Sequence, residues 1–451
     1  MSVFKAYDIR GVYNRDFSKD DVYKIGYFLP KLLKADRILV GRDGRVSSPE
    51  VYEALSAGIT AAGADVYFMG LATTPMVYFA TAKHNFPASV QITASHNSKE
   101  YNGLKVSKEN ALPVGYDSGL AELERMVQSG TVPASVTAEK KGKVHDYPVR
   151  DEYIDYMRQF VPASTAKVGV DCSNGMAALV IKDILGSGPR YLYDTVDGTF
   201  PNHEPNPLIE ENVAELKKLV GESGLDAGII FDGDGDRVMF VDEQGRFISP
   251  DLIIGVLAHF YLEKEKGYVL HYIRTSMAVS EYITSMGGTP YMWKVGHAFA
   301  KVKLRELKAI YGGELAGHYY FRDFYHCDSG ILACLIVLDV LEMMKKEGLT
   351  FSDIISRIAK YAYSGEINYK VGNKQEAMDR LKETLTREEE PAAFYDFDGY
   401  RVEFSNWWFN VRPSNTEPYL RLVVEAEDSG ILREKTEQIE NILEPFIGGD
   451  G

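Results

Sequence analysis

The chain has 451 residues, of which 45% are hydrophobic and 25% are charged, and its formal net charge is −15. This length predicts several domains rather than one, and the composition is that of an ordinary globular protein. The acidic charge argues against nucleic-acid or membrane-surface binding, so a site for an anionic substrate would have to gather positive charge locally.

Strands and helices alternate in the N-terminal part of the chain, from residue 37 to residue 129. Strands are predicted at 37–41 and 65–70, and helices at 49–62 and 76–83. Such alternation is typical of parallel βαβ units, so this part is expected to form an α/β domain.

The alternation restarts twice after a polar stretch at 131–143, which predicts a connection near a domain boundary. Further strands are expected within 167–175, 227–231, 267–273 and 289–296, and further helices at 151–160, 211–220, 252–264 and 299–310. The apolar run 330–341 is interrupted by Asp339 and predicts a buried helix, because it is too short and too polar for a membrane span.

The pattern changes after about residue 364. A helix is expected at 374–387, period-two alternation over 398–426 predicts antiparallel strands, and a last helix is expected over roughly 428–445. The predicted fold class is therefore α/β, with three tandem α/β domains followed by a smaller C-terminal α+β domain.

The cysteine content and the N-terminus bear on location. Cys172, Cys327 and Cys334 are too few for a disulfide framework and lack C-x-x-C spacing. Reduced thiols fit a cytoplasmic location, and the first residues, MSVFKAYDIRG, lack the pattern of a signal peptide. No oligomeric partner is evident.

The stretch 88–105, ASVQITASHNSKEYNGLK, joins a short apolar strand to small polar residues. Ligands of α/β sheets bind at the carboxyl ends of strands, so Ser95 is a candidate nucleophile. Nothing matches the G-x-S-x-G elbow of serine hydrolases. Neighbouring residues of an extended chain point to opposite faces, so His96 is not expected to bond Ser95 as in a triad. Taken alone, the stretch is better explained as a polar surface loop that caps a helix.

The loop after the apolar run 227–231 contains Asp232, Asp234 and Asp236, which alternate with glycines and precede Arg237. Three carboxylates so close together repel one another unless a cation lies among them, and hard oxygen ligands suit Mg²⁺. A metal site is therefore predicted, ahead of a solvated acidic turn.

Two other metal or phosphate loops fit this segment less well. An EF-hand would need glycine where Arg237 stands and a helix where the strand is expected. A D-x-D-x-[TV] phosphatase loop would need threonine or valine where Asp236 stands.

Three later segments carry further polar groups. GGELAGHYYF (312–321) places Glu314 and His318 among glycines, which alone is a weak signal. RPSNTEP (412–418) offers a guanidinium, hydroxyls, an amide and turn N–H groups, which suit a phosphate or simply close a hairpin. KVGHAFAK (294–301) places Lys294 and His297 at a helix start, where anions are favoured.

Taken together and in this order, the segments resemble the α-D-phosphohexomutase family, in particular its phosphomannomutase/phosphoglucomutase branch. The resemblance covers essentially the whole chain through KAYDIRG, TASHN with YNGLK, DGDGDR, KVGH, GGELAGHYYFRD and RPSNTEP. It implies four domains around a central cleft, with mixed sheets in the first three. The expected divisions are a phosphoserine domain at 1–148, a metal-binding domain at 149–248, a sugar-binding domain at 249–364 and a phosphate-binding α+β domain at 365–451.

The resemblance also implies roles for individual residues. Ser95 would carry the transferable phosphoryl group, and Asp232, Asp234 and Asp236 would hold Mg²⁺ together with it. The groups expected around this phosphoserine are Arg10, His96, Lys105 and Arg237. Glu314 and His318 would hold the sugar hydroxyls, and Lys294 and His297 would face the substrate. The phosphate that does not react would be held by Arg412, Ser414, Asn415 and Thr416.

The implied reaction is reversible phosphoryl transfer between the 1- and 6-positions of a hexose phosphate, mannose or glucose, through a hexose 1,6-bisphosphate that also acts as activator. His96 and Lys105 both remain candidates for the acid/base group. The alternatives are a phosphoglucosamine mutase, against which DGDGDR in place of DGDADR argues, a magnesium-dependent phosphatase using Asp232, and a phosphosugar- or Ca²⁺-binding protein without catalysis. Two positions depart from the family pattern: Ser98 replaces a proline, and Ala316 replaces a serine.

Overall fold

The structure, a computed structural model, describes residues 2–132, 141–414 and 419–448. Most of the predicted connection at 131–143 lies outside these residues. The described helices do not include one that combines the length and the apolar character needed to cross a bilayer.

The N-terminal sheet has the strand order β1-β5-β4-β2-β3-β7, with β6 beside β5. Its strands are β1 (Ile9–Val12), β2 (Arg37–Arg42), β3 (Asp65–Leu71), β4 (Ala88–Ile92), β5 (Tyr101–Lys108), β6 (Leu112–Pro113) and β7 (Val144–Asp146), and its helices are α1 (Lys19–Leu33), α2 (Ser48–Ala61), α3 (Thr74–Lys83) and α4 (Leu120–Ser129). The predicted parallel pairing is confirmed for β2, β3 and β4. β5 runs antiparallel to both β4 and β1, so the sheet is mixed.

The second sheet has the order β12-β11-β10-β8-β9, and the third has the order β14-β13-β15-β16-β17. The second unit contains β8 (Val168–Asp171), β9 (Arg190–Leu192), β10 (Ala227–Phe231), β11 (Val238–Asp242) and β12 (Phe247–Ile248), with α5 (Arg150–Arg158), α6 (Ile181–Leu185) and α7 (Glu210–Ser223). The third contains β13 (Tyr268–Tyr272), β14 (Thr289–Trp293), β15 (Tyr311–Gly313), β16 (Tyr319–Phe321) and β17 (Cys327–Asp328), with α8 (Pro250–Tyr261), α9 (Met277–Ser285), α10 (His297–Leu307), α11 (Gly330–Lys346) and α12 (Phe351–Ile358).

These three sheets share one arrangement. In each, a strand of the parallel set turns back into an antiparallel partner, as β4 does into β5, β10 into β11 and β15 into β16. The turn at the carboxyl end of that strand is the Ser95 loop, the Asp232–Asp236 loop or the Glu314–His318 loop. Three segments far apart in the sequence therefore occupy equivalent places.

The C-terminal sheet is antiparallel throughout, in the order β18-β22-β21-β20-β19. It is formed by β18 (Ala362–Lys370), β19 (Ala393–Tyr395), β20 (Tyr400–Glu403), β21 (Trp407–Pro413) and β22 (Tyr419–Ala426), with α13 (Lys374–Glu388) and α14 (Ser429–Leu443). The predicted α+β unit is confirmed, and RPSNTEP connects β21 to β22.

The core is organised around α11, which is apolar on nearly all sides. Residues such as Leu335 and Val337 are fully buried, as expected for a central helix, and they belong to one apolar cluster that extends from α3 through the second and third sheets. The C-terminal sheet has a separate core around Phe409 and Leu381. This separation gives the last unit its own packing.

Candidate active site

The Ser95 side chain lies at the carboxyl end of β4. Ser95 adopts a left-handed backbone conformation with φ of 51°, and its N–H donates to Thr93 Oγ1 over 2.9 Å. Its Oγ donates to Asp232 Oδ2 over 2.7 Å, and both residues are buried. The Ser95 loop and the Asp loop, which are 137 positions apart, therefore meet through the predicted nucleophile.

Arg45 fixes the Ser95 loop through hydrogen bonds to its backbone, a role that the sequence did not predict. The buried Arg45 guanidinium donates to the carbonyl oxygens of Ser95, Asn97 and Ser98 over 2.8, 2.7 and 2.6 Å. A proline at position 98 is therefore not needed to order this turn, because Arg45 fixes its carbonyls.

The Asp loop is tightly turned onto its first carboxylate. Asp232 Oδ1 accepts the backbone N–H groups of Gly235 and Arg237 over 3.0 and 3.2 Å. One carboxylate oxygen from each of Asp232, Asp234 and Asp236 lies within 4.8 Å of the others. Burial and the two neighbouring carboxylates raise the pKa of Asp232 well above its usual range. The loop thus concentrates negative charge that calls for a cation.

Lys105 and Thr74 satisfy part of this charge. Lys105 Nζ lies 2.6 Å from Asp234 Oδ2 and 2.5 Å from Asp236 Oδ2, and Thr74 Oγ1 donates to Asp234 Oδ2 over 2.5 Å. Burial alone would lower the pKa of Lys105. Asp234 and Asp236 raise it by a larger amount, so the pKa of Lys105 lies above its usual value. Asp234 Oδ1 and Asp236 Oδ1 are buried and accept no hydrogen bond from any described residue. This donor set of buried carboxylate oxygens fits a hard divalent cation.

Arg10 and His96 lie at the edge of the same cluster. Arg10 Nη1 donates to Asn97 Oδ1 over 2.7 Å, and its other amino group pairs with Asp8. Burial, Arg237 and Arg10 lower the pKa of His96 well below its usual value, so its imidazole is neutral. No hydrogen bond links His96 to Ser95 among the described residues, in line with the expected geometry.

The third loop joins the Asp loop directly. Arg237 Nε donates to His318 Nε2 over 2.9 Å, and the two residues form an antiparallel backbone bridge. Tyr320 OH donates to Glu314 Oε1 over 2.9 Å and orients that buried carboxylate. The contact between Arg237 and His318 thus connects a residue expected near the phosphoserine with one expected to hold the sugar hydroxyls.

Asp398 connects two segments that carry a second group of predicted residues. Arg412 Nη1 lies 3.5 Å from Asp398 Oδ1, and the Val295 N–H donates to Asp398 Oδ2 over 2.7 Å. Burial and the nearby Arg274 lower the pKa of Arg412. The segment before α10 and Arg412 of β21 are thus brought together through Asp398, across two sheets.

Other members of this second group are placed less completely. Lys294 Nζ lies 3.5 Å from the centre of the Phe299 ring, and His297 is the first residue of α10. The Ser414 N–H donates to the Tyr419 carbonyl over 2.8 Å and closes the hairpin. Asn415 and Thr416 lie outside the described residues.

Tyr7 connects the two groups. Its hydroxyl donates to the Val295 carbonyl over 3.1 Å, and burial, Asp398 and Glu314 raise its pKa to about 12. The tyrosine hydroxyl therefore stays protonated, and it lies near the Glu314 carboxylate as well as Asp398 and Arg412.

The sequence reasoning missed several supporting side chains, namely Arg45, Thr74, Tyr7, Lys301, Tyr320 and Asp328. Arg45 had a usable signal, because GRDGR spans the end of β2 and the turn after it, at the same edge of the sheet as the Ser95 loop. Tyr320 and Asp328 had none, since β16 and β17 are too short to leave a periodic pattern.

Three mixed α/β units and one antiparallel unit, with a buried serine beside a carboxylate cluster, are the arrangement that the resemblance to the phosphohexomutases implies. The chain matches four domain families in succession. They are phosphoglucomutase/phosphomannomutase alpha/beta/alpha domain I over residues 1–132, domain II over 151–245, domain III over 249–361 and the C-terminal domain over 366–442.

Whole-chain relatives agree. A phosphomannomutase of Salmonella montevideo is 37% identical over 457 residues, covering 98% of this chain and 99% of its own. A protein of Xanthomonas campestris pv. campestris described as phosphohexose mutases is 38% identical, with 98% and 99% coverage. A crystal structure of a phosphoglucomutase/phosphomannomutase family protein from Burkholderia thailandensis superposes with a TM-score of 0.87 at 28% identity, covering 98% of this chain and 97% of that one. The chain belongs to the α-D-phosphohexomutase family and is an isomerase of the mutase type.

Proposed function

We propose that this mutase transfers a phosphoryl group reversibly between the 1- and 6-positions of mannose or glucose phosphate, through phosphorylated Ser95 and a hexose 1,6-bisphosphate. The observation that carries the proposal is the Ser95 hydroxyl, buried 2.7 Å from Asp232 Oδ2. A buried nucleophile beside carboxylates and cations suits phosphoryl transfer, which depends on positioning and on charge stabilisation.

In the first half-reaction, the bond from phosphorus to Ser95 Oγ breaks as a bond to the sugar hydroxyl oxygen forms. The hydroxyl proton passes to a base and Ser95 Oγ takes up a proton from an acid, and His96 and Lys105 both remain candidates for these roles. Arg10 and Arg237 stabilise the charge on the equatorial oxygens. The bisphosphate then turns end for end, and its other phosphoryl group returns to Ser95.

Asp232, Asp234, Asp236 and the Ser95 phosphoryl group would hold Mg²⁺. The free oxygens of Asp234 and Asp236 fit this assignment. When bound, Mg²⁺ would polarise the phosphoryl oxygens and neutralise developing negative charge. Lys105 already contacts the same carboxylates, so it would share their charge with the metal ion.

The second group of residues would bind the end of the substrate that does not react. Glu314 would hold the sugar hydroxyls, and Lys294 and His297 would face the substrate. His318, which was expected to hold a hydroxyl as well, has its two ring nitrogens against Asp328 and Arg237, so it would act on the substrate through Arg237. Arg412, Ser414, Asn415 and Thr416 would grip the distant phosphate. The similarity to phosphomannomutases favours mannose phosphate among the hexose phosphates.

We also propose the domain division 1–148, 149–248, 249–364 and 365–451. The four sheets fall into these ranges, except that β18 begins at Ala362, slightly before the last boundary. Cys172, Cys327 and Cys334 are free and buried, which suits a protein that works in the reducing cytoplasm.

The test is a coupled assay with Mg²⁺ and trace glucose 1,6-bisphosphate. Mannose 1-phosphate, glucose 1-phosphate and glucosamine 1-phosphate are compared, and phosphate release is followed in parallel. Formation of mannose or glucose 6-phosphate supports the proposal. Turnover of glucosamine 1-phosphate alone would point to a phosphoglucosamine mutase, and phosphate release alone would point to a phosphatase. If neither isomerisation nor phosphate release occurred, a binding protein would be favoured.

Ser95→Ala is expected to abolish phosphoryl transfer while thermal stability changes little. An intact-mass measurement should find a covalent phosphate on the wild-type protein and none on the variant. Ser98→Ala removes a hydroxyl from the same loop and serves as the matched control, with activity retained. Equal turnover by the Ser95 variant would remove Ser95 from the mechanism.

A further inference from the structure

A line of buried polar side chains continues from the active site into the protein. Lys301 Nζ lies 2.7 Å from Asp328 Oδ1, and Asp328 Oδ2 lies 2.7 Å from His318 Nδ1. On its other side, His318 Nε2 accepts a hydrogen bond from Arg237 Nε over 2.9 Å. Lys301 and Asp328 are both fully buried, and His318 is 3% exposed.

This line determines the tautomer of His318. The Arg237 Nε–H can only donate, so His318 Nε2 must present its lone pair. The imidazole proton is then on Nδ1, the nitrogen that faces the Asp328 carboxylate. A carboxylate behind a histidine is a common way to fix both the tautomer and the ring orientation.

The line is built from separate elements and is anchored by the backbone. Lys301 lies in α10, Asp328 ends β17 and His318 precedes β16, while Arg237 follows the Asp loop of the second sheet. The Gly330 N–H donates to the Gly235 carbonyl over 3.3 Å, which ties the residues after Asp328 to the Asp loop.

Other charged groups also face this line. Asp236 Oδ1 lies 3.7 Å from His318 Nδ1, and Glu314 Oε1 lies 3.8 Å from His318 Nε2. The ammonium of Lys301 also lies 3.6 Å from the centre of the Tyr78 ring in α3. Since an unpaired buried carboxylate is strongly disfavoured, Lys301 supplies the charge that Asp328 requires.

We propose that Asp328 is a positioning residue of the mutase reaction. It keeps the proton of His318 on Nδ1, so that Nε2 can hold the Arg237 guanidinium at the phosphoryl group, with Lys301 as the structural counter-charge of Asp328. The inference rests on the proposed function, because that function gives Arg237 its task.

Replacement of Asp328 by asparagine separates this role from simple packing. Lys301 can only donate, so it would attract the amide oxygen of Asn and turn the amide NH₂ toward His318. The proton would then move to Nε2, where it faces the Nε–H of Arg237. We expect Asp328→Asn to lower kcat by about 10²-fold, comparable to the loss of one transition-state donor, with KM changed less than about threefold.

Lys301→Met breaks the same buried ion pair but leaves the Asp328 carboxylate as an acceptor for Nδ1–H. Both variants should lose thermal stability, whereas the loss of kcat should be much smaller for Lys301→Met. Equal losses of kcat that follow the losses of stability would show a merely structural role and would overturn the proposal.

A second measurement does not depend on turnover. In protein labelled with ¹⁵N-histidine, long-range ¹H–¹⁵N correlation reports the tautomer of His318, and the signal is assigned by its absence in His318→Gln. A proton on Nδ1 in the wild type and on Nε2 in Asp328→Asn supports the inference, while a wild-type proton on Nε2 refutes it. If the wild type lacked mutase activity, the proposed function and the kcat claim would fail, and the tautomer claim would still be decided here.

Discussion

Individual charges at this site are balanced by side chains from distant positions. Lys105 compensates two carboxylates of the Asp loop, although it lies 129 positions before Asp234. Asp234 and Asp236 therefore depend on the Lys105 ammonium group when no metal ion compensates them. This dependence can be measured through stability.

Lys105→Met is expected to destabilise the metal-free protein by about 3–5 kcal/mol, because it leaves buried carboxylates without their partner. Mg²⁺ should restore part of this loss, so added Mg²⁺ should raise the melting temperature of the variant more than that of the wild type. Lys83→Met, which removes a half-exposed partner of Glu152, is the control and should show no such difference. Equal Mg²⁺ shifts in all three proteins would contradict the placement of the metal at these carboxylates.

Two neighbouring tyrosines allow a matched test of the proposed role of Glu314. Tyr320 OH donates to Glu314 Oε1, whereas Tyr319 OH donates to the Pro250 carbonyl, in both cases over 2.9 Å. Tyr319→Phe removes one buried hydrogen bond and should cost about 1 kcal/mol of stability, whereas Tyr320→Phe also removes a longer one, 3.4 Å, between the Tyr320 and Tyr272 hydroxyls and should cost about 1–2 kcal/mol. Only Tyr320→Phe should raise KM for the phosphosugar, several-fold, because only it frees Glu314. A KM increase of the same size in Tyr319→Phe would mean that Glu314 is not the group affected.

At the scale of elements, the sequence predicted the strands that support the site better than the contacts within it. The apolar run 227–231 followed by alternating Asp and Gly predicts a strand and a metal loop from local pattern alone. The contacts of Arg45 with the Ser95 loop and of His318 with Arg237 depend on how sheets are placed against each other. Local periodicity carries no information on such pairs, and the three-residue strand β16 leaves almost no pattern.

The segment before α10 is a further element whose shape is set by one glycine. Gly296 has φ of 129°, and a Cβ atom there would lie 2.5 Å from the Tyr7 hydroxyl oxygen. Gly296→Ala should therefore displace Tyr7 and the neighbouring Lys294, with a stability loss of about 1–3 kcal/mol and a clear rise in KM.

The control for this change is Gly348→Ala. Gly348 also has a positive φ, 74°, but apart from its chain neighbours no heavy atom of the described residues lies within 4 Å of its added Cβ. This variant should lose about 1–2 kcal/mol through backbone strain and keep its KM. If both variants changed KM alike, or if neither did, the contact of Gly296 with Tyr7 would not shape the substrate site.

At the scale of the whole molecule, the site is shared between units with separate apolar cores. One core connects α3 with the second and third sheets, another lies around α1, β4 and β5 of the N-terminal sheet, and the C-terminal sheet has a core of its own. The proposed phosphoryl-transfer groups lie on the first three units and Arg412 on the last. Substrate binding therefore requires the C-terminal unit to be docked correctly, and polar contacts do much of this docking.

Arg401 is the side chain to change, because its buried Nη1 donates to the carbonyls of Ile273 and Thr275 over 2.6 and 2.8 Å, across to the third unit. Arg401→Met keeps an apolar chain against Trp408 but loses both donors, so the docked fraction should fall and the apparent KM should rise in inverse proportion, by roughly tenfold if one molecule in ten stays docked. Because chemistry occurs within the docked form, kcat at saturating phosphosugar should fall much less. Steady-state kinetics and small-angle scattering would follow both effects, with the exposed Arg433→Met as control. A variant that lost kcat at unchanged KM would place Arg401 in the chemistry rather than in docking.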